Sequence, residues 1–237
     1  MKNRLVVTLL SLCSMMCVAA QSIQHHVVKV DDFTELVVLG AVNVDYRSSV
    51  DSAGIAVFDA RADIVNVFMF SNNGKGKLTV RLDTDGARLT KLPTLRVYSR
   101  ELASIENRAD STVRGFNINA TAKFKAKLEG NGRLSVRNIS ADEVQARMFT
   151  GRGQLAIDGT CRKASLSCTG VGAIQADQLK SSEAAVSVNG PCNIGCYVTE
   201  ELTVKGVGPG SVYYAGAPDV IKNHSINVKL QNIGEDK

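Results

Sequence analysis

The stretch that decides the fold reads Glu129-Gly130-Asn131-Gly132-Arg133-Leu134-Ser135-Val136. Similar phrases begin at Thr150 and Thr169, and weaker copies begin at Asn189 and Val207. The first glycines of the five copies are spaced by 18 to 21 residues. Self-similarity at such a constant spacing is the mark of a repeat architecture, in which each copy forms one structural unit. These first glycines are Gly130, Gly151, Gly170, Gly190 and Gly208.

Apolar residues recur at fixed positions on both sides of the glycine pair. They occupy the fourth and sixth places after the first glycine, and the second and fourth places before it. Alternation of apolar and polar residues predicts strands that turn one face towards a core. The fourth place after the glycine holds Leu134, Leu155, Ile174, Ile194 and Val212.

A repeat of about 20 residues that holds two or three short strands fits one rung of a parallel β-solenoid. Stacked rungs bond to one another about 4.8 Å apart and bury equivalent columns together. Glycine suits the corners, where stacked backbones approach closely and φ is positive. We therefore predict an all-β, single-chain parallel β-helix with rungs of about 20 residues, and an antiparallel sandwich is the alternative. The predicted corners are Gly130, Gly132, Gly151, Gly153, Gly170, Gly172, Gly190, Gly208 and Gly210.

The repeat weakens towards both ends of the chain, which divides it into regions. We expect a less regular β region over 21–100, with some antiparallel pairing, before the glycine-rich solenoid over 101–218. Within the first region, 64–70 and 77–82 predict a hairpin with Asn73-Gly74 at its turn. An alternation over 225–230 predicts a closing strand within a cap and tail that span 219–237.

The amino terminus has the pattern of a secretory signal over 1–20. Lys2 and Arg4 precede an apolar run over 5–18, and Ala19-Ala20 form a small-residue cleavage site. No later apolar run is long enough for a transmembrane helix. Removal of the signal leaves 26 basic and 23 acidic residues, a net charge of +3. Since these charges are scattered, nucleic acid is not an expected partner.

Four cysteines remain after the predicted cleavage, and export favours disulfides between them. Their pairing is open, because a fully extended Cys192–Cys196 segment would separate the Cα atoms by roughly 13 Å. Their spacing does not match a zinc site. The candidate disulfide residues are Cys161, Cys168, Cys192 and Cys196.

Residues that carry chemistry are sparse. The only histidines are His25, His26 and His224, and the first two follow the expected cleavage site closely. Asp83-Thr84-Asp85-Gly86 has part of a calcium-loop pattern, but it lacks the later ligands and is interpreted as a polar turn. We therefore predict no catalytic, cofactor-binding or metal-binding residues, and no enzyme.

The glycine rungs, the signal and a carboxy-terminal phrase together resemble a known family. The phrase reads Gly210-Ser211-Val212-Tyr213-Tyr214-Ala215-Gly216-Ala217-Pro218. It is similar to the ending of the GIN domain, the head domain family of autotransporter adhesins, which Gram-negative bacteria export. The resemblance covers roughly 33–218.

This resemblance implies a non-enzymatic binding protein of the cell envelope or surface, an adhesin that uses an extended solenoid face. The expected partner is an unidentified protein or glycan, and the compartment is the periplasm, the outer membrane or the cell surface. A periplasmic structural or envelope-stress module is the first alternative, and a polysaccharide-active β-helix enzyme is the second. The sequence leaves the oligomeric state open.

Overall fold

The computed structural model describes residues 22–85, 88–89, 91–119, 121–149 and 151–234. The predicted signal over 1–20 lies outside these residues. The fold is a β-solenoid of about six turns with rungs of about 20 residues, which confirms the predicted fold class. A 3₁₀ helix, η1, spans Ala62–Val67. The strands are β1 Gln24–Lys29, β2 Glu35–Val38, β3 Val44–Ser48, β4 Ile55–Ala60, β5 Phe68–Asn72, β6 Lys77–Leu82, β7 Leu95–Ser99, β8 Ser104–Asn107, β9 Thr112–Phe116, β10 Thr121–Glu129, β11 Arg133–Phe149, β12 Gln154–Thr169, β13 Gly172–Asn189, β14 Cys192–Val207, β15 Ser211–Ala215, β16 Val220–Ile226 and β17 Lys229–Asn232.

The rungs stack into two broad parallel faces. Face 1 consists of β6, β2, β8, β10, the second halves of β11 to β14, and β16, in this spatial order. Face 2 consists of β7, β3, β9, the first halves of β11 to β14, β15 and β17. A short third side joins the faces where residues 139–141 pair with 159–161.

The core lies between the faces and is built from columns of identical register. Leu134, Leu155, Ile174, Ile194 and Val212 stack on face 2, and each is at most 1% exposed. Each buried aliphatic side chain contributes about 1.5–3 kcal/mol through removal of apolar surface from water. The opposing column on face 1 contains Phe124, Val144, Ala164, Ala184 and Leu202.

Each glycine pair lies where a rung turns from face 1 to face 2. The first glycines of the five copies all have positive φ, from 86° at Gly151 to 125° at Gly208. The second glycines are confined by the neighbouring rung, and among them Gly172 also has a positive φ of 150°. A Cβ on Gly132 would overlap the carbonyl oxygen of Ala109, and Cβ atoms on Gly153, Gly172 and Gly210 would lie 2.6 or 2.7 Å from a neighbouring atom.

The winding order at the amino-terminal end differs from the order of the sequence. The rung made by β2 and β3 lies between the β6–β7 rung and the β8–β9 rung. Outside it, β4 pairs antiparallel with both β7 and β1, and β5 pairs antiparallel with β6. The first rung in the chain is therefore enclosed, and antiparallel strands cover this end.

Two predicted elements differ from the structure in detail. The predicted hairpin is present as β5 and β6, but residues 62–67 form η1 instead of extending the first strand. The predicted strand over 225–230 is divided between β16 and β17. Asn227, with φ of 61°, makes the bend that separates them, because each half must follow a different face.

The cysteine prediction is wrong: Cys161, Cys168, Cys192 and Cys196 are all free thiols. Cys168 and Cys196 belong to inward apolar columns, where they replace aliphatic side chains, and Cys192 is also buried. The Cys192 thiol donates a hydrogen bond of 3.4 Å to the carbonyl oxygen of Cys168. These cysteines serve as small core residues.

We expect native thiols to react very slowly with iodoacetamide at neutral pH. Burial raises the pKa of both Cys161 and Cys196 to about 12, so that little reactive thiolate is present at these two residues. The Cys168 thiol lowers the pKa of Cys192, but the Cys192 side chain is fully buried and out of reach of the reagent. Mass spectrometry after labelling in denaturant should find four modified cysteines between residues 22 and 234. Rapid labelling of the native protein would contradict this assignment.

Candidate functional site

The outward side chains of face 1 form three columns that run along the solenoid. Charged residues dominate the first column, and in the other two, charged residues lie towards both ends of the stack with short or neutral residues between them. The first contains Lys123, Glu143, Lys163, Glu183 and Glu201; the second contains Ser104, Lys125, Gln145, Ser165, Ala185, Thr203 and Lys222; the third contains Glu106, Lys127, Arg147, Ser167, Ser187, Lys205 and His224.

The carboxylates of face 1 from β8 to β16 are all engaged in ion pairs. Most of these pairs join one rung to the next, so they follow directly from the parallel register. The distances are 2.6 Å for Lys127–Glu106, 2.7 Å for Arg108–Glu106, 3.4 Å for Lys127–Glu129, 3.0 Å for Lys123–Glu143, 3.4 Å for Lys163–Glu183 and 2.9 Å for Lys222–Glu201.

Between β8 and β16, three cations of face 1 remain after this pairing. Lys125, Arg147 and Lys205 are exposed, and their side chains form no hydrogen bond or ion pair with the described residues. Lys125 and Arg147 are diagonal neighbours on adjacent strands, with Cα atoms about 8 Å apart. They line one groove of about 270 Å³ together with Ser104, Glu106, Lys123, Ala126, Lys127 and Gln145. The groove therefore carries a surplus of positive charge.

A strip of short polar side chains separates the two ends of this cationic set. Between Arg147 and Lys205 the third column contains Ser167 and Ser187. Three strand steps separate these two cations by about 14 Å. The serine side chains of the strip present hydroxyl groups, which can both donate and accept hydrogen bonds.

Glu106 anchors the cationic end of face 1. Its side chain is only 12% exposed and accepts hydrogen bonds from Arg108 Nε and Lys127 Nζ. Burial is the largest single influence on its pKa and raises it. The two cations together outweigh burial and hold the pKa of Glu106 below its ordinary value of 4.5. The carboxylate is therefore ionised at neutral pH and fixes the position of Lys127.

This depressed pKa predicts acid sensitivity. Ionised Glu106 stabilises the fold above about pH 4.5, and its contribution is lost as pH falls through the lower native pKa. We expect Glu106→Gln to lower the urea midpoint at pH 7, with the difference from wild type shrinking towards pH 3. Glu35→Gln is the control, since Glu35 is exposed and has no ion-pair partner among the described residues. A midpoint difference independent of pH would contradict the assignment.

Face 2 is more evenly balanced in charge. Its basic residues are largely paired, as shown by the contacts Arg114–Asp45 at 2.8 Å, Arg96–Asp59 at 3.1 Å and Arg137–Asp158 at 2.9 Å. Arg133 is exposed without such a partner. The centre of this face carries short or neutral residues, namely Ala156, Gln175 and Gly195. Face 1 therefore carries the larger cationic surplus.

The carboxy-terminal phrase lines a separate cleft of about 660 Å³. Its walls combine aromatic and apolar groups with an amide, and Tyr214 also packs against the core. Ile221 on its rim is 43% exposed. The cleft is lined by Tyr197, Tyr214, Ala215, Gly216, Ala217, Pro218, Ile221, Asn232 and Gly234.

The histidines and the partial calcium pattern do not come together as a site. His25 contacts Asp59 at 2.7 Å, and His26 contacts the carbonyl oxygen of Ala60 at 3.1 Å, so both lie on β1 at one end. His224 lies on β16 at the other end. Asp83 and Asp85 lie in a turn after β6, and Gly86 is outside the described residues. Within the described part of the chain, no three His, Cys, Asp or Glu side chains are arranged to hold a metal ion.

Sequence reasoning identified the inward columns but not the surplus cations of face 1. Lys125 and Arg147 resemble their charged neighbours in the sequence, and only the pairing across rungs separates paired from unpaired cations. The rung length gives one signal for these ion pairs, since residues 20 or 21 apart in the sequence become neighbours on adjacent rungs. None of the helical segments in the described ranges is long and apolar enough to cross a membrane.

Comparisons with known proteins agree with this architecture. A search of curated proteins finds no significant match. Among solved structures, a "putative adhesin" from Bacteroides fragilis is 22% identical with a TM-score of 0.81, covering 90% of this chain and 98% of that chain. A "putative lipid binding protein" from Parabacteroides distasonis is 16% identical with a TM-score of 0.70, covering 90% and 98%. A "putative adhesin" from Parabacteroides merdae is 16% identical with a TM-score of 0.64, covering 90% and 97%.

These likenesses show the fold alone, and the family follows from the sequence. The family model described as "Putative auto-transporter adhesin, head GIN domain" matches residues 32–218. This range includes the rungs from β2 to β15 and the carboxy-terminal phrase that lines the cleft. The chain therefore belongs to the GIN-domain family of auto-transporter adhesin heads.

Proposed function

We propose that this chain is a non-enzymatic binding protein of the cell envelope or surface, an adhesin that engages its ligand through an extended face of the solenoid. Family membership supports this function. The observation that carries it is face 1, where register aligns polar side chains into three columns over successive rungs. Such a surface matches a long ligand better than a small substrate.

The stacked construction suits adhesion for a mechanical reason. Parallel pairing with neighbouring rungs fixes the backbone of each central strand on both sides, so the outward side chains are presented without ordering a loop. A preorganised surface loses less conformational entropy when it binds. Because the side chains are held at fixed spacings, many weak contacts can form at once along one ligand and together increase its affinity.

The first experiment asks whether the protein reaches the cell surface. Intact native cells are treated with a protease and compared with lysed cells, and a periplasmic protein provides the control. The proposal expects the protein to be cleaved on intact cells while the control is protected. Protection on intact cells would favour the periplasmic accessory module.

The second experiment measures adhesion itself. Cells with and without the encoding gene are applied to surfaces coated with matrix protein or glycan, and the complemented strain is compared with both. Loss of attachment without the gene and its recovery on complementation are expected. Equal attachment by all three strains would contradict the adhesin function.

A further inference from the structure

We propose that face 1 binds an acidic glycan, with Lys125 and Arg147 contacting its carboxylate or sulfate groups and the strip beyond them contacting neutral sugar hydroxyls. This inference rests on the proposed binding function and specifies its ligand class. Its basis is the charge that remains after the ion pairs of face 1 are assigned. In the described residues from β8 to β16, every carboxylate of this face has a cation partner, whereas three cations have none.

The pairing pattern makes Lys125 and Arg147 available to a ligand. Lys125 stands between Ser104 and Gln145 in its column, and neither neighbour carries charge. Arg147 stands between Lys127 and Ser167. The carboxylates of Glu106 and Glu129 are already paired with Lys127, at 2.6 Å and 3.4 Å. Neither is therefore free to compete with a ligand for Arg147. An incoming anion would displace water rather than an existing ion pair.

The groups beyond the cations favour a glycan over a simple anion. Gln145, Ser165, Ser167 and Ser187 continue the same two columns towards Lys205. Amide and hydroxyl groups bond sugar hydroxyls in either direction. An acidic polysaccharide alternates charged groups with neutral hydroxyls, and this surface presents cations at its ends and hydroxyls between them.

The same spacing disfavours nucleic acid. Duplex DNA carries one phosphate charge for about every 1.7 Å of its axis, whereas the strip between Arg147 and Lys205 has no unpaired cation over about 14 Å. The aromatic side chain at the margin of face 1, Phe149, has the Lys127 ammonium 5.5 Å from its ring centre. It is therefore not a free platform for a base.

The test compares two charge-reversal variants of the full chain. Lys125→Glu/Arg147→Glu changes the proposed contacts. Arg133→Glu/Lys180→Glu changes net charge equally and involves exposed cations away from face 1 that have no side-chain ion pair among the described residues. Neither double variant removes an ion pair, and circular dichroism and thermal melting verify that each is folded.

Binding is measured on immobilised polygalacturonate, a sulfated glycan of the heparin type, neutral dextran and duplex DNA. We expect the wild type to bind one or both acidic glycans and not dextran. The face 1 variant should bind about tenfold more weakly, which corresponds to two lost exposed charge contacts, while the control variant stays within about twofold. Lys125→Gln/Arg147→Gln should show a smaller loss, and added salt should weaken wild-type binding.

Three outcomes would overturn the inference. They are no binding to either acidic glycan at low salt, equal loss in both reversal variants, and preferential binding to DNA through the same two residues. Failure here is distinguishable from failure of the proposed function. If cells that carry Lys125→Glu/Arg147→Glu still attach, the protein is an adhesin with another ligand. If the protein binds acidic glycan but is protected from protease on intact cells, the ligand class stands and the adhesin function fails.

Discussion

Replacing Gly132 with alanine is expected to destabilise the protein by about 4 kcal/mol or more, or to prevent folding. The added Cβ would overlap the carbonyl oxygen of Ala109 and lie 2.7 Å from that of Ser111. Both oxygens belong to the backbone of the neighbouring rung, so no flexible side chain can move away. Relief requires the two rungs to separate, which would break ladder hydrogen bonds and open the core.

Gly195→Ala is the matched control for this substitution. Neither glycine has a positive φ, but a Cβ on Gly195 would meet only the Asp177 side chain, at an ordinary 3.4 Å. We expect its stability to stay within about 1 kcal/mol of wild type. Urea unfolding followed by circular dichroism measures both variants. Similar midpoints for the two would show that close stacking does not require glycine at residue 132.

Asn107→Leu is expected to destabilise the protein by about 3–5 kcal/mol, although leucine suits the column in which Asn107 lies. Its register neighbours are Val38 and Leu128, and all three side chains are fully buried. The Asn107 amide donates to the carbonyl oxygens of Ser111 at 2.9 Å and Arg133 at 3.1 Å. Its oxygen accepts from the Ala109 amide at 3.0 Å. Leucine would leave these buried backbone groups without their partner.

Asn131→Ala provides the comparison for Asn107. Asn131 also joins two rungs, since its oxygen accepts a 3.0 Å hydrogen bond from the Arg152 amide, but it is exposed. Water can replace the lost partner, so we expect a cost of about 1 kcal/mol or less. Both variants are measured by urea unfolding. Stability of Asn107→Leu within about 1 kcal/mol of wild type would contradict the bonding role of this amide.

The sequence predicts the buried residues best where the repeat is most regular. Leu134, Leu155 and Ile174 could be assigned to one buried column because period-two alternation and a constant glycine spacing fix both their face and their register. Asn107 could not be recognised in this way. Asn107 is a polar residue in an otherwise apolar column. Only the structure shows that the chain around it turns so that backbone groups of Ala109, Ser111 and Arg133 hydrogen-bond to its side chain.

The candidate site was predictable only in outline. The resemblance implied binding along an extended face but did not select one of the faces. Lys125 and Lys127 are two residues apart and equally charged, yet one is free and the other is held by Glu106 and Glu129. That difference depends on Glu106, which the preceding rung places beside Lys127 in register, and on Glu129, which follows Lys127 two residues later on β10.

Some additional close contacts between rungs could be recognised only from the structure. A Cβ on Gly159, Gly206 or Gly216 would overlap the carbonyl oxygen of Ile139, Val188 or Val198, respectively. None of these glycines belongs to the Gly-x-Gly corner phrase at which the sequence predicted turns. Each also has a positive φ. The close approach between rungs adds a second requirement for glycine, and local sequence does not encode it. The free thiols were also not predictable from the sequence, because only the structure shows that Cys168, Cys192 and Cys196 are buried in the core and that Cys161 packs against it.

The sequence by itself determined the solenoid, its rung length and its inward columns, because a repeated pattern imposes the same local conformation on every copy. Tertiary structure alone decided that the β2–β3 rung lies between β6–β7 and β8–β9. It also decided which cations of face 1 remain unpaired. The physical reason is that periodicity specifies which residues turn inward, whereas rung order and ion pairing depend on contacts between segments distant in the chain.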